Sequence, residues 1–228
     1  MGFFGRQMSN VVEWEEYRDD VIFWKWNNNQ IKKGSTLIIR PGQDAIFMCD
    51  GRIEGIFEDE GRYDIESQIV PFLSSLKGFK FGFKNEMRAE VLFVNTREFT
   101  VKWGTKSPVM IPSKDFPAGL AIRAFGTFNC KVSDYVAMID KFAGVKDIYT
   151  IDDIRDRVIS ALGQPLMKHI GRTDGDIFAL QQNAAEIAKG VKEDLDMQMF
   201  KDGITITDFC IANFSYPEEV YEYLRQVK

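Results

Sequence analysis

The hydrophobic period of this chain changes near Ser133, and that change limits the fold more than any other feature. Before it, apolar residues recur at every second position, as in half-buried strands. After it they recur every three to four, as in helices with one buried side. A strand-like run returns at residues 203–215 and passes straight into Ser215-Tyr216-Pro217-Glu218-Glu219-Val220, the opening of a further helix. Strands first and helices second predict an α+β fold: a twisted antiparallel sheet with packed helices, and a C-terminal helix leading toward a coiled coil. The expected organisation is an N-terminal segment over 1–19, one domain over 20–216 and the start of the exit helix over 217–228.

The run Val21-Ile22-Phe23-Trp24-Lys25-Trp26 is aromatic and β-branched and meets a turn at Asn27-Asn28-Asn29. Residues 36–40 stop at Pro41-Gly42. Residues 44–49 and 52–57 flank Asp50-Gly51, the dipeptide of a two-residue hairpin. Further strands are expected at 61–65, 89–95, 98–103 and 120–131, with Asn95-Thr96-Arg97 as a turn. Beyond Ser133, Tyr135, Val136, Ile139 and Phe142 share one helical face. Thr150 is placed as an N-cap with Asp153 three residues on, and Ile151, Ile154, Val158, Ala161 and Leu162 form a buried stripe. Pro165 is expected to end or kink this helix. A long helix over about 176–200 carries Ile177, Leu180, Ala184, Ile187, Val191 and Leu195 on one side and closes on Gly203. Ser215 and Glu218 read as a capping box for the last helix, with Pro217 in its first turn.

Hydrophobic content of 45% with 28% charged residues is that of a globular chain. No apolar run reaches the roughly 18 residues of a membrane-spanning helix. The first ten residues hold no signal-peptide core, and Arg6 stands where myristoylation requires Ser or Thr. Cys49, Cys130 and Cys210 are widely spaced and read as free thiols of a reducing cytosol. His169 stands alone and excludes a multi-histidine metal centre. Residues up to Tyr149 carry 20 basic and 20 acidic side chains, and those after it carry 9 and 14. That acid excess argues against nucleic acid as a partner. No cofactor is expected: Gly78-Phe79-Lys80-Phe81-Gly82 has neither the spacing of a phosphate loop nor a helix after it.

The order of these features resembles the SPFH (band 7, stomatin-prohibitin-flotillin) domain family, most closely its soluble bacterial "virion core protein-like" branch. The residues that carry the resemblance are Val12-Glu13-Trp14 leading to 20–26, and Leu37-Ile38-Ile39-Arg40-Pro41-Gly42 running on to Phe47. They continue with Gly61-Arg62-Tyr63, Phe93-Val94-Asn95, Val101-Lys102-Trp103-Gly104-Thr105, Arg123-Ala124-Phe125-Gly126, and Gly203-Ile204 through to Pro217-Glu218-Glu219-Val220. The resemblance implies an antiparallel sheet with packed helices, a following coiled coil that drives oligomers, and membrane scaffolding without catalysis. The N-terminal hairpin or membrane anchor of stomatin-like members has no counterpart in Met1–Asn10, and the chain ends where the coiled coil is expected to begin.

Phe3, Phe4, Gln7, Met8, Val11 and Val12 fall on one helical face and can form a short interfacial helix; the plainer reading is a segment that folds onto the body. Between Phe72 and Arg88, Phe79, Phe81 and Phe83 interleave with Lys80 and Lys84. That composition suits a membrane surface or single-stranded nucleic acid, against the plainer reading of a hydrophobic flap that covers the sheet with its lysines solvated; it is the segment of the first half expected to touch a membrane or partner. Val220, Tyr223 or Leu224, and Val227 fit consecutive a and d positions of a coiled coil, against a terminal helix that docks on its own domain. Glu58-Asp59-Glu60 lacks the spacing of a calcium loop, and Asp152, Asp153 and Asp156 suit a helix N-terminus.

The function expected is a non-catalytic scaffold. It is cytoplasmic, self-associating and peripherally held at the membrane by membrane-protein partners, with lipid contact a further option and nucleic acid none. One alternative is a hydrolase-like enzyme using Cys130 or His169, which requires those side chains to converge in a polar cleft. Another is a phage or virion structural component.

Overall fold

The computed structural model describes residues 11–15, 18–26, 34–49, 51–65, 89–113, 116–143, 146–173 and 177–226. The chain runs through β1 (Val11–Glu13), β2 (Val21–Lys25), β3 (Thr36–Ile39), β4 (Gln43–Cys49), β5 (Arg52–Phe57) and β6 (Gly61–Asp64). It continues with β7 (Ala89–Asn95), β8 (Phe99–Gly104), β9 (Val109–Ile111) and β10 (Leu120–Val132). Then come α1 (Tyr135–Met138), a π-helical turn (Ile139–Ala143), β11 (Ile148–Thr150) and α2 (Ile151–Ile170). Last are α3 (Ile177–Gln182), α4 (Ala184–Met199), β12 (Ile204–Ser215) and α5 (Glu218–Gln226). The α+β class is present, with antiparallel sheets and several helices. The elements group into two compact units, Met1–Arg97 with Ile139–Thr150, and Glu98–Met138 with Ile151–Lys228.

The first unit holds a five-stranded antiparallel sheet, β11-β2-β7-β4-β5, and a three-stranded sheet, β1-β3-β6. Apolar side chains of both sheets, among them Val12, Leu37, Phe47 and Phe93, join Trp14 and Trp26 in one core. Val11 and Val12, assigned from sequence to the face of an N-terminal helix, instead lie in β1, which pairs parallel with β3. Their β-branched side chains favour the strand, and Val12 becomes fully buried by it. Asn95 caps its own turn, its Oδ1 accepting from the Arg97 N–H at 3.1 Å. β9 and β11, three residues each, have no counterpart among the strands expected.

In the second unit the sheet order is β12-β10-β8, with β9 on the end of β10. Strict alternation in β8 turns Phe99, Val101 and Trp103 inward and leaves Thr100 and Lys102 outside. Trp103 stacks on Phe209 with centroids 4.8 Å apart and donates from Nε1 to the Cys210 carbonyl at 3.3 Å. α4 lies on β12, and α2 lies on β8 and β9. The two helices also pack on each other, so they cover one side of the sheet as a pair. Their buried stripes are Ile154, Val158, Leu162, Leu166 and Ile170 in α2, and Ile187, Val191, Leu195 and Met199 in α4.

Four local expectations are corrected. α2 runs through Pro165 to Ile170. The proline removes one backbone hydrogen bond, but Leu162, Leu166 and Ile170 around it are buried, and that burial outweighs a cost of about 3 kcal/mol. The long helix expected over 176–200 is interrupted by a turn at Asn183, between α3 and α4. The face through Tyr135, Val136, Ile139 and Phe142 is one α-turn followed by a π-turn, which buries Met138 and Ile139 and leaves Val136 exposed. Ser215 is still strand, because α5 begins at Glu218 with Val220 N–H donating to the Pro217 carbonyl at 3.0 Å; a capping box on Ser215 has no helix to cap. Gly203 closes the helical run as expected. Its φ of 77° is left-handed, and a Cβ there would stand 2.2 Å from the Asp134 carbonyl oxygen.

Candidate functional site

Two of the sequence-derived membrane candidates, Phe3, Phe4 and Met8 at the N-terminus and Phe79, Lys80, Phe81, Phe83 and Lys84 in the loop, lie outside the described residues. So does Val227. Of the other oligomerisation candidates, Leu224 is in α5, Val220 is 1% exposed, and Tyr223 packs edge-on against Phe116 with ring centroids 5.4 Å apart. The inner side of α5 is thus occupied within its own unit. Its exposed side carries Glu218, Glu219, Tyr221, Glu222 and Arg225.

The two side chains named for an enzyme have structural surroundings. Cys130 sits in the middle of the sheet on β10, fully buried, and burial with the nearby charge of Glu98 pushes its thiol up to about 12. A thiol so held is no nucleophile at neutral pH. His169, 8% exposed in the last turn of α2, shares a proton with Asp194 of α4, Nε2 to Oδ2 at 2.9 Å. A carboxylate only accepts, so Nε2 carries the hydrogen and Nδ1 is left to face Arg172 Nη1 at 3.4 Å. Lys168 Nζ lies 2.8 Å from both oxygens of Asp194. The hydrogen bond from Lys168, joined by the one from His169, holds the Asp194 carboxyl below its ordinary value despite some burial. The imidazole packs directly against Gly190: a Cβ there would stand 2.2 Å from its Cε1 and Nδ1. The histidine therefore clasps α2 to α4 from the last turn of α2. Among the described residues no group of three or more His, Cys, Asp or Glu could hold a metal ion.

That clasp forms one end of an open groove of about 730 Å³ between the two helices. Gln164, Pro165 and Lys168 of α2 form one wall; Asp194, Met197 and Gln198 of α4, with Lys201 just beyond it, form the other. His169 lies against Gly190 and Lys168 bonds to Asp194, one step back along α2 against four steps on along α4, as antiparallel helices do. Three large apolar side chains of these segments are exposed: Met167 of α2, Met197 in the groove wall at 65% and Phe200, just past α4, at 57%. The buried stripe of α4 passes through Ile187, Val191 and Leu195, and Met197 and Phe200 fall off it. Apolar residues off the buried stripe of a helix are the signal in the sequence that points to this surface.

Among the described residues no helix is long and apolar enough to cross a membrane. A model of the "SPFH domain-Band 7 family" matches residues 21–228. The chain is also similar to the uncharacterized protein YdjI of Bacillus subtilis (strain 168). The two are 63% identical over 224 residues, which make up 98% of this chain and 69% of YdjI.

Proposed function

The chain belongs to the SPFH domain-Band 7 family, and we propose that it acts as a non-catalytic scaffold, a cytoplasmic head that self-associates and is recruited to the membrane by partner proteins. The observation that carries this reading is the helical side of the second unit, where Met197 and Phe200 are held outward beside an open groove. Large apolar side chains displayed at a packed helix pair suit a docking surface better than a reaction centre. The reactive groups support the same reading. The Cys130 thiol is buried and protonated, and the His169 ring is taken up by Asp194 and Arg172.

The test is a paired measurement. The chain as given and a chain ending at Pro217 are compared by native mass, and each is used as bait against detergent-solubilised membranes. The expected results are oligomers of the chain as given, a shift toward smaller species on truncation, and capture of membrane proteins. Monomers throughout together with no membrane capture would overturn the proposal.

A further inference from the structure

The exposed side of α5 and the α2–α4 groove carry opposite charge. On α5, Glu218, Glu219 and Glu222 stand against the single base Arg225, whose Nη2 lies 3.9 Å from Glu218 Oε1, so the acid excess rests on Glu219 and Glu222. Glu218, Tyr221, Glu222 and Arg225 follow the i, i+3, i+4, i+7 spacing of one helical face. Tyr221 is 37% exposed and held in place, because its hydroxyl accepts from the Tyr216 N–H at 3.4 Å and its ring lies edge-on to that of Tyr216. The groove is lined by two cations, Lys168 and Lys201, and one acid, Asp194; Lys168 and Asp194 pair with each other, so the net positive charge of the groove rests on Lys201. Pro165 and Met197 supply apolar walls on which an aromatic ring can rest.

We propose that α5 of one copy seats its Glu218–Tyr221–Glu222 face in the α2–α4 groove of a second copy, with Glu222 meeting Lys201 and Tyr221 resting against Met197. This rests on the self-association proposed above and names the surfaces that carry it. The inner side of α5 is already covered by its own unit, through Val220 and through Tyr223 on Phe116, so the exit helix can bridge two copies without leaving its place. The surfaces joined are different ones, so the contact is heterologous. It repeats from copy to copy into rings or open rows, the geometry a scaffold uses.

Charge reversal tests the contact on the chain as it stands. Lys201→Glu and Glu222→Lys are both at exposed positions, and circular dichroism checks that each variant folds. Each single reversal places like charges at every junction and is expected to weaken association on the order of tenfold. The double variant is expected to recover it. An equal mixture of the two single variants is also expected to recover it, because alternating copies restore an opposite-charged pair at each junction. If the chain associates but either reversal leaves its mass distribution unchanged, or the mixture stays as weak as its components, this contact is wrong while self-association stands. Reversals that abolish binding to phosphatidylserine vesicles and leave the mass distribution unchanged would assign the groove to lipid instead. A chain that is monomeric at every concentration overturns the self-association reading itself.

Discussion

Replacing Gly190 by alanine is expected to destabilise the second unit, although the same change in a free helix would stabilise it. Alanine in a helix interior is favoured over glycine by about 1 kcal/mol. Against that gain stands the ring of His169, which the new Cβ would approach to 2.2 Å at two atoms. The imidazole is 8% exposed and cannot swing into solvent without giving up its 2.9 Å hydrogen bond to Asp194. A hydrogen bond to a charged partner contributes about 1.5–3 kcal/mol. Forcing the ring aside in packed surroundings adds about 1–3 kcal/mol. The net expectation is a loss of about 1.5–5 kcal/mol, read as a lower urea midpoint at unchanged slope. The decisive comparison is made in a His169→Ala background. There the obstacle is gone, and Gly190→Ala should raise stability by about 1 kcal/mol, reversing its sign. If Gly190→Ala stabilises the unaltered chain, the clasp between α2 and α4 is not as described.

Gly126→Ala should be still more damaging, because a Cβ there would stand 1.9 Å from the Cys210 carbonyl oxygen, and backbone in the middle of β12 cannot turn aside; loss of soluble folded protein, or a midpoint lowered by more than about 3 kcal/mol, is expected. Peptide mapping after brief iodoacetamide treatment should find Cys210, which is exposed, alkylated in the folded chain, and Cys130 only after denaturation. Cys130 keeps its proton in the folded chain up to about 12, against an ordinary value of 9.0, so unfolding releases a proton in between. Its contribution to stability should be intact below pH 9 and lost as pH rises from 9 toward 12, and a Cys130→Ala variant should lack that part of the loss. Asp194 has the opposite sign. Its carboxyl is held below the ordinary 3.8, so the clasp contributes fully above that pH and is lost as pH falls through the lower folded value. Hydrogen exchange of α4 amides near Asp194 should rise there, and an Asp194→Asn variant should show no such transition.

The strands were legible because each one buries a single side of a pleated ribbon, and Phe99, Val101 and Trp103 advertise this at every second residue. Glycine and proline punctuation was equally readable where it acts locally, as at Gly203. What failed were features decided at a distance. Pro165 reads as a helix end until the burial of Leu162, Leu166 and Ile170 is known, and that burial belongs to the helix pair, not to the local sequence. Val11 and Val12 match a helical face as well as a strand, and only pairing with β3 decides between them. β9 and β11 are three residues long, too short to show a period. Off-stripe Met197 hints at an exposed apolar surface, but the groove itself was not legible, for the same reason. Its walls come from segments some thirty residues apart, and the histidine that fixes them needs a glycine on the other helix to make room.

The most direct test of the scaffold reading is sedimentation velocity of the unaltered chain over a wide range of concentration. The account predicts species larger than the monomer whose share rises with concentration, whether the heterologous contact closes into rings or runs on as open rows. A single boundary at the monomer mass of 26.2 kDa over the whole range would contradict it.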